Sequence, residues 1–140
     1  MHAVTYPHEV DFGDGQFKII IEALVSPVEY LPNYAEYELR YIARDNGICA
    51  DVKSEAWNSD FKALIEAFEA ILKEFQPGAS RKVEFSHGVF SIAIETGSHG
   101  PINLLISLRP DPYFNTTFTF EMTIQQEHVK HLIHEINVLV

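Results

Sequence analysis

The sequence predicts an α+β domain: one strongly twisted antiparallel sheet of about seven strands in the order βββ-α-ββββ-α, with two helices packed on one of its faces. Three observations carry that expectation. Seven segments alternate apolar and polar residues with the period of two that a half-buried strand requires. Two others repeat apolar residues at helical spacing, one in the middle of the chain and one at its end. Most connections between strand-like segments are of hairpin length, which joins antiparallel neighbours.

The first strong segment runs from Gln16 to Val25, with Phe17, Ile19, Ile21, Ala23 and Val25 on one face. Asp14-Gly15 before it suits a tight turn, so Glu9 to Phe12 reads as a short preceding strand. From Ala35 to Arg44, Tyr37, Leu39 and Tyr41 share a face opposite Glu36, Glu38 and Arg40. Asn46-Gly47 then tolerates the positive φ angles of a type I′ turn, whose twist matches that of paired strands, and leads into Ile48–Glu55. Asn58, Ser59 and Asp60 supply helix-start chemistry, an oxygen cap and early negative charge. Trp57, Phe61, Leu64, Ile65, Phe68, Ile71, Leu72 and Phe75 then recur at helical spacing up to Pro77-Gly78. The second half reads as a meander of Arg81–Ser86, Val89–Glu95, Ile102–Leu108 and Thr117–Thr123. Leu104, Leu105 and Ile106 run in succession, which predicts a central strand apolar on both sides. Val129, Leu132, Ile133, Ile136 and Val140 form the inward stripe of a closing helix. The expected core comprises Phe17, Ile19, Ile21, Leu39, Phe61, Ile65, Phe68, Ile92, Ile94, Ile106, Phe118, Phe120, Ile133 and Ile136.

Residues 1–140 are expected to form a single domain, long enough for a real hydrophobic core. The formal charge of −10 argues against a nucleic-acid surface, because phosphate would be repelled, and suits a basic protein partner. Cys49 stands alone, so neither an intrachain disulfide nor a thiolate zinc cluster can form, and it is expected to pack as a small hydrophobe. The opening residues lack the basic start and apolar run of a secretory signal, and no run approaches a membrane span, so a cytoplasmic protein is expected.

Candidate chemistry is sparse. His128, His131 and His134 sit three apart, so their directions drift about 60° per step around a helix. Glu127, His131 and Glu135 do share a face, and such a row reads as solvated, with local ion pairs, rather than as a metal site. Ser86-His87-Gly88 and Ser98-His99-Gly100 lack the strand–turn–helix setting of a nucleophile and read as turns. Asp11-Phe12-Gly13-Asp14-Gly15 lacks the later acidic ligand of a calcium loop. Neither catalytic residues, nor a cofactor, nor a metal are expected. Tyr30, Tyr34, Tyr113 and Phe114 lie in Pro-containing loops, where exposed aromatics favour protein recognition, although anchoring a loop onto its own sheet is at least as common a role.

From Asp60 onward a further pattern emerges: Phe61-Lys62-Ala63-Leu64-Ile65-Glu66-Ala67-Phe68, then Pro77-Gly78-Ala79, then Gly88-Val89-Phe90-Ser91-Ile92. His99-Gly100-Pro101-Ile102-Asn103-Leu104 follows, then Phe118-x-Phe120 and a helix led by Gln125 and Gln126 with Leu132-Ile133. In this order the features resemble the WapI-type bacterial immunity proteins. The N-terminal half departs from that family, which tends to carry a Trp-containing stretch where this chain has Tyr30-Leu31-Pro32-Asn33-Tyr34. The resemblance implies a non-enzymatic cytosolic protein that neutralises a bacterial toxin domain by direct binding.

Strand alternation adds a candidate surface. With Tyr37 and Leu39 turned inward, Glu36 and Glu38 point outward, and Glu22 and Asp51 on neighbouring strands are expected to do the same. This acidic face, with Tyr30 and Tyr34 at its edge, would meet a basic partner such as a toxin nuclease domain, with no nucleic acid or membrane involved. The readings from other classes are a small hydrolase or isomerase with an unrecognised site, and a ligand-binding or subunit module without a toxin partner.

Overall fold

The computed structural model describes residues 4–27, 34–74, 76–97, 100–111 and 116–140. Its elements follow the alternation closely: β1 (His8–Gly13), β2 (Phe17–Pro27), β3 (Ala35–Asp45), β4 (Ile48–Trp57), α1 (Asn58–Glu74), β5 (Ser80–Glu84), β6 (Phe90–Thr96), β7 (Ile102–Leu108), β8 (Phe118–Ile124) and α2 (Gln126–Asn137). The β3–β4 hairpin turns at Asn46 and Gly47, with φ of 49° and 82°, as an Asn-Gly type I′ turn requires.

The single sheet of about seven strands is not what forms. Among the described residues there are two four-stranded antiparallel sheets, β1-β2-β3-β4 and β5-β6-β7-β8, each in sequence order. Periodicity reports which face of a strand is apolar, and it is silent on which strands pair. Here the inner faces stack on each other through aromatic rings. Phe17 lies 5.4 Å from Phe90 and 5.9 Å from Phe120, and Tyr41 lies 5.0 Å from Phe90. Contacts of that kind need the sheets face to face, whereas one continuous sheet would set these rings side by side. The helices are likewise not confined to one face of one sheet. Helix α1 touches β3 and β4 of the first sheet and β5 and β6 of the second, while α2 packs on α1 and β1.

Burial agrees with the expected core, except that Phe118 and Ile133 are only partly buried at its margin. Five local readings change. Val140, read as part of the inward stripe of the closing helix, lies beyond the end of α2 and is 48 % exposed. Trp57, read as the start of the helical row, ends β4. Leu105 is 40 % exposed, so β7 is apolar on one side only. Val25 is 49 % exposed, because register shifts in β2 between Ile21 and Ala23, and between Leu24 and Ser26, break the alternation. Cys49 is exposed near the β3–β4 turn, so it packs against no core. Among the described residues no helix is long and apolar enough to cross a membrane.

Candidate functional site

The outer face of the first sheet carries most of the predicted residues. Alternation in β3 buries Tyr37, Leu39 and Tyr41 and turns Glu36, Glu38 and Arg40 outward. Register then sets their neighbours: Glu36 opposes Trp57, Glu38 opposes Glu55, and Arg40 opposes Lys53. Glu22 and Asp51 flank Arg40. The guanidinium donates to Asp51 through Nε at 3.0 Å and through a second, closer nitrogen, and its Nε lies 3.9 Å from Glu22. These hydrogen bonds hold the Asp51 carboxyl below the usual carboxylate range. Two of the four predicted carboxylates, Glu22 and Asp51, are therefore engaged by one arginine.

The other two belong to a different cluster. Glu36, Glu38 and Glu55 lie together on β3 and β4, and no ion pair among the described residues neutralises any of them. Burial raises the Glu36 carboxyl, and a hydrogen bond to Glu55 together with its negative charge raises it further. A shallow depression of about 280 Å³, lined by Glu22, Glu38, Lys53, Ser54 and Glu55, opens beside them. Tyr34, half-buried, sits with its ring 4.5 Å from that of Trp57 at the edge of this face. Tyr30, and the loop aromatics Tyr113 and Phe114, lie outside the described residues.

One buried carboxylate brings a residue from the second sheet into this cluster. Asp60, in the first turn of α1, accepts from the Trp57 amide at 2.9 Å, which ties the helix start to the end of β4. Its other oxygen accepts from the amide of Ser86 at 3.0 Å and the hydroxyl of Ser86 at 2.8 Å. The β5–β6 turn is thereby held against the β4–α1 junction, and His87 lays its ring on Trp57 at 6.0 Å and 19°. In that position the ligand atoms of Glu36, Glu55 and His87 all lie within 4.8 Å of one another. Nε2 of His87 is buried and has no hydrogen-bond partner among the described residues. Sequence reasoning found Glu36 and missed Glu55 and His87. Glu55 was legible as an outward residue of its strand, but the tether that brings His87 across from residue 87 has no local signature.

The histidines of α2 are placed otherwise. His131 is exposed and lies 3.8 Å from Glu135, as expected of a solvated row. His128 is half-buried, with Nε2 3.0 Å from the Asp11 carbonyl, so it fastens α2 to β1. His8 does the same from β1, reaching the Glu135 carbonyl at 2.8 Å. A broad trough of about 860 Å³ runs between α1 and the chain end, lined by Tyr37, Lys62, Glu66, Glu69, Asn137 and Leu139. The Tyr37 hydroxyl beside it already donates to the Leu139 carbonyl at 3.0 Å.

Compared with protein-family models, curated proteins and solved structures, the chain matches none.

Proposed function

We propose that this chain is a non-enzymatic cytoplasmic binding protein that captures a basic protein domain on the outer face of its first sheet, in the manner of the toxin-neutralising proteins it resembles. The observation that carries this reading is Glu38 directly opposite Glu55, with Glu36 beside them and, among the described residues, no cation paired to any of the three. Like charges facing each other across a strand pair cost stability. Lysines or arginines of a partner offset that cost on binding, and the same field speeds encounter. Tyr34 and Trp57 at the rim supply aromatic anchors of the kind that dominate binding energy.

The test starts from the open reading frame beside this one, which in this reading encodes the toxin domain. With that domain purified, charge reversal of Glu36 and Glu38 to Lys is expected to slow association and flatten its salt dependence. Tyr34→Ala is expected to speed dissociation. Association at an unchanged rate across salt concentrations in the charge-reversed variant sinks the proposal.

A further inference from the structure

We propose that Glu36, Glu55 and His87 form a binding site for a divalent cation of the zinc class, one that fastens the first sheet to the β5–β6 turn of the second. The ligand atoms of all three lie within 4.8 Å of one another. Around a tetrahedral ion with bonds of about 2.0–2.2 Å, donors stand roughly 3.3–3.6 Å apart, so small side-chain rotations close the site. The donor set is an imidazole and two carboxyl groups; the proton shared between Glu36 and Glu55 leaves when the ion binds, and the two negative charges then balance it. An imidazole donor favours zinc and its transition-metal neighbours over calcium or magnesium, which take oxygen ligands.

The second observation is independent of the acidic pair. His87 Nε2 is buried without a hydrogen-bond partner among the described residues, although two carboxylates stand close by. A buried polar atom is rarely left unsatisfied, and a cation held through Nε2 would satisfy that nitrogen while it bound the two carboxylates. The imidazole is also positioned in advance, by stacking on Trp57 and by the two hydrogen bonds from Ser86 to Asp60. Glu55 is exposed and gives the ion its route from solvent, and a fourth coordination position is left for water. His131 and Glu135 on α2 lack this arrangement: His131 is exposed, and Glu135 is shared with His8. That pair is the internal control.

The inference concerns the isolated chain; zinc on Glu36 and Glu55 would neutralise two of the carboxylates offered to a basic partner, so partner association is to be compared with and without chelator. The experiment is equilibrium dialysis of the chelator-stripped protein against Zn²⁺ alone, with bound metal counted by mass spectrometry and thermal melts run in parallel. The expected result is one zinc per chain and a Tm that rises with zinc concentration. His87→Ala and Glu55→Gln should each weaken binding by about tenfold or more, while His131→Ala leaves it unchanged. Because Glu55 is exposed, Glu55→Gln tests the site even if His87→Ala disturbs the turn. Failure of the unaltered protein to bind zinc, or a loss that follows His131→Ala instead of His87→Ala and Glu55→Gln, overturns the proposal.

Discussion

The two sheets solve the same inner problem and differ in one part of their outer faces. Both bury one face of every strand, and their aromatic rings meet in a shared core. On the outer face of the second sheet the cross-strand neighbours satisfy each other. Thr123 donates to Asn103 at 3.0 Å and the hydroxyls of Ser107 and Thr119 lie 3.4 Å apart, while along β5 itself Lys82 pairs with Glu84, two residues on, at 3.1 Å. Its acids Glu95 and Glu121 oppose Asn103 and Leu105, so neither faces another charge. The first sheet sets Glu38 against Glu55 and crowds Glu36 beside them. Folding explains the second arrangement and gains nothing from the first. Like charges facing each other across a strand pair are expected to cost stability, and the basic partner proposed above would offset that cost.

The largest expected effect comes from severing the tether between the two halves. Asp60 is 5 % exposed and accepts three hydrogen bonds, two of them from Ser86. Asp60→Ala orphans the amides of Trp57 and Ser86 in half-buried surroundings and should destabilise the protein by about 3 kcal/mol, since bonds to a charged acceptor contribute more than neutral ones. Trp57, the single tryptophan of the chain, reports the change directly by fluorescence during urea unfolding. A loss below about 1 kcal/mol means that the turn carrying His87 is held by something other than this carboxylate.

A smaller effect sharpens the contrast between outer faces. Giving the first sheet the chemistry of the second, by Glu38→Thr, removes a like-charge pair and adds a β-branched residue to a strand. Urea unfolding in the presence of chelator should show a gain of about 0.5 kcal/mol that shrinks as salt screens the repulsion. Replacing Ser107 and Thr119 together by Glu should move the second sheet in the opposite direction. If Glu38→Thr instead lowers stability, the acidic cluster contributes to the fold, and the main argument for a basic partner disappears.

The sequence made the faces readable and left the partners of those faces hidden. Alternation over Tyr37, Leu39 and Tyr41 was enough to turn Glu36 and Glu38 outward, and Asn46-Gly47 placed the hairpin that aligns them with β4. Both signals are local. The division into two sheets depends on which strands stay unpaired around α1, and no periodicity encodes that. The site has the same limitation. Glu36 and Glu55 come together through hairpin register, which a careful count from the turn recovers. His87 arrives through Asp60 and Ser86, whose separation of 26 residues spans α1 and β5. The bulges in β2 mark the limit of the local signal as well, because they move Ala23 to the side of Glu38 and leave Val25 exposed.

The smallest expected effect concerns Asp51, the one predicted carboxylate whose charge is met within the sheet by a full hydrogen-bonded pair. The Arg40 hydrogen bond lowers its pKa from the ordinary value of 3.8, with the charges of Arg40 and Lys53 acting in the same direction. A carboxyl whose folded pKa is depressed binds fewer protons in the folded state than in the unfolded state at mildly acid pH. Its contribution is therefore complete above the unfolded pKa and fades as pH falls through the lower, folded one. Both side chains reach solvent, so the contribution is small and salt-sensitive. Asp51→Asn should unfold at slightly lower urea than the unaltered protein at pH 7. The gap should narrow as pH drops below about 4 and close once the carboxyl is protonated on both sides of the transition. The second sheet offers the control. Its Glu121 opposes Leu105, and Glu121→Gln should leave the midpoint unchanged across the same range. A gap for Asp51→Asn that stays constant from pH 7 to pH 3 means that the Asp51 side chain acts through packing. The outer face of the first sheet then lacks the charge pairing that separates Glu22 and Asp51 from the unneutralised Glu36, Glu38 and Glu55.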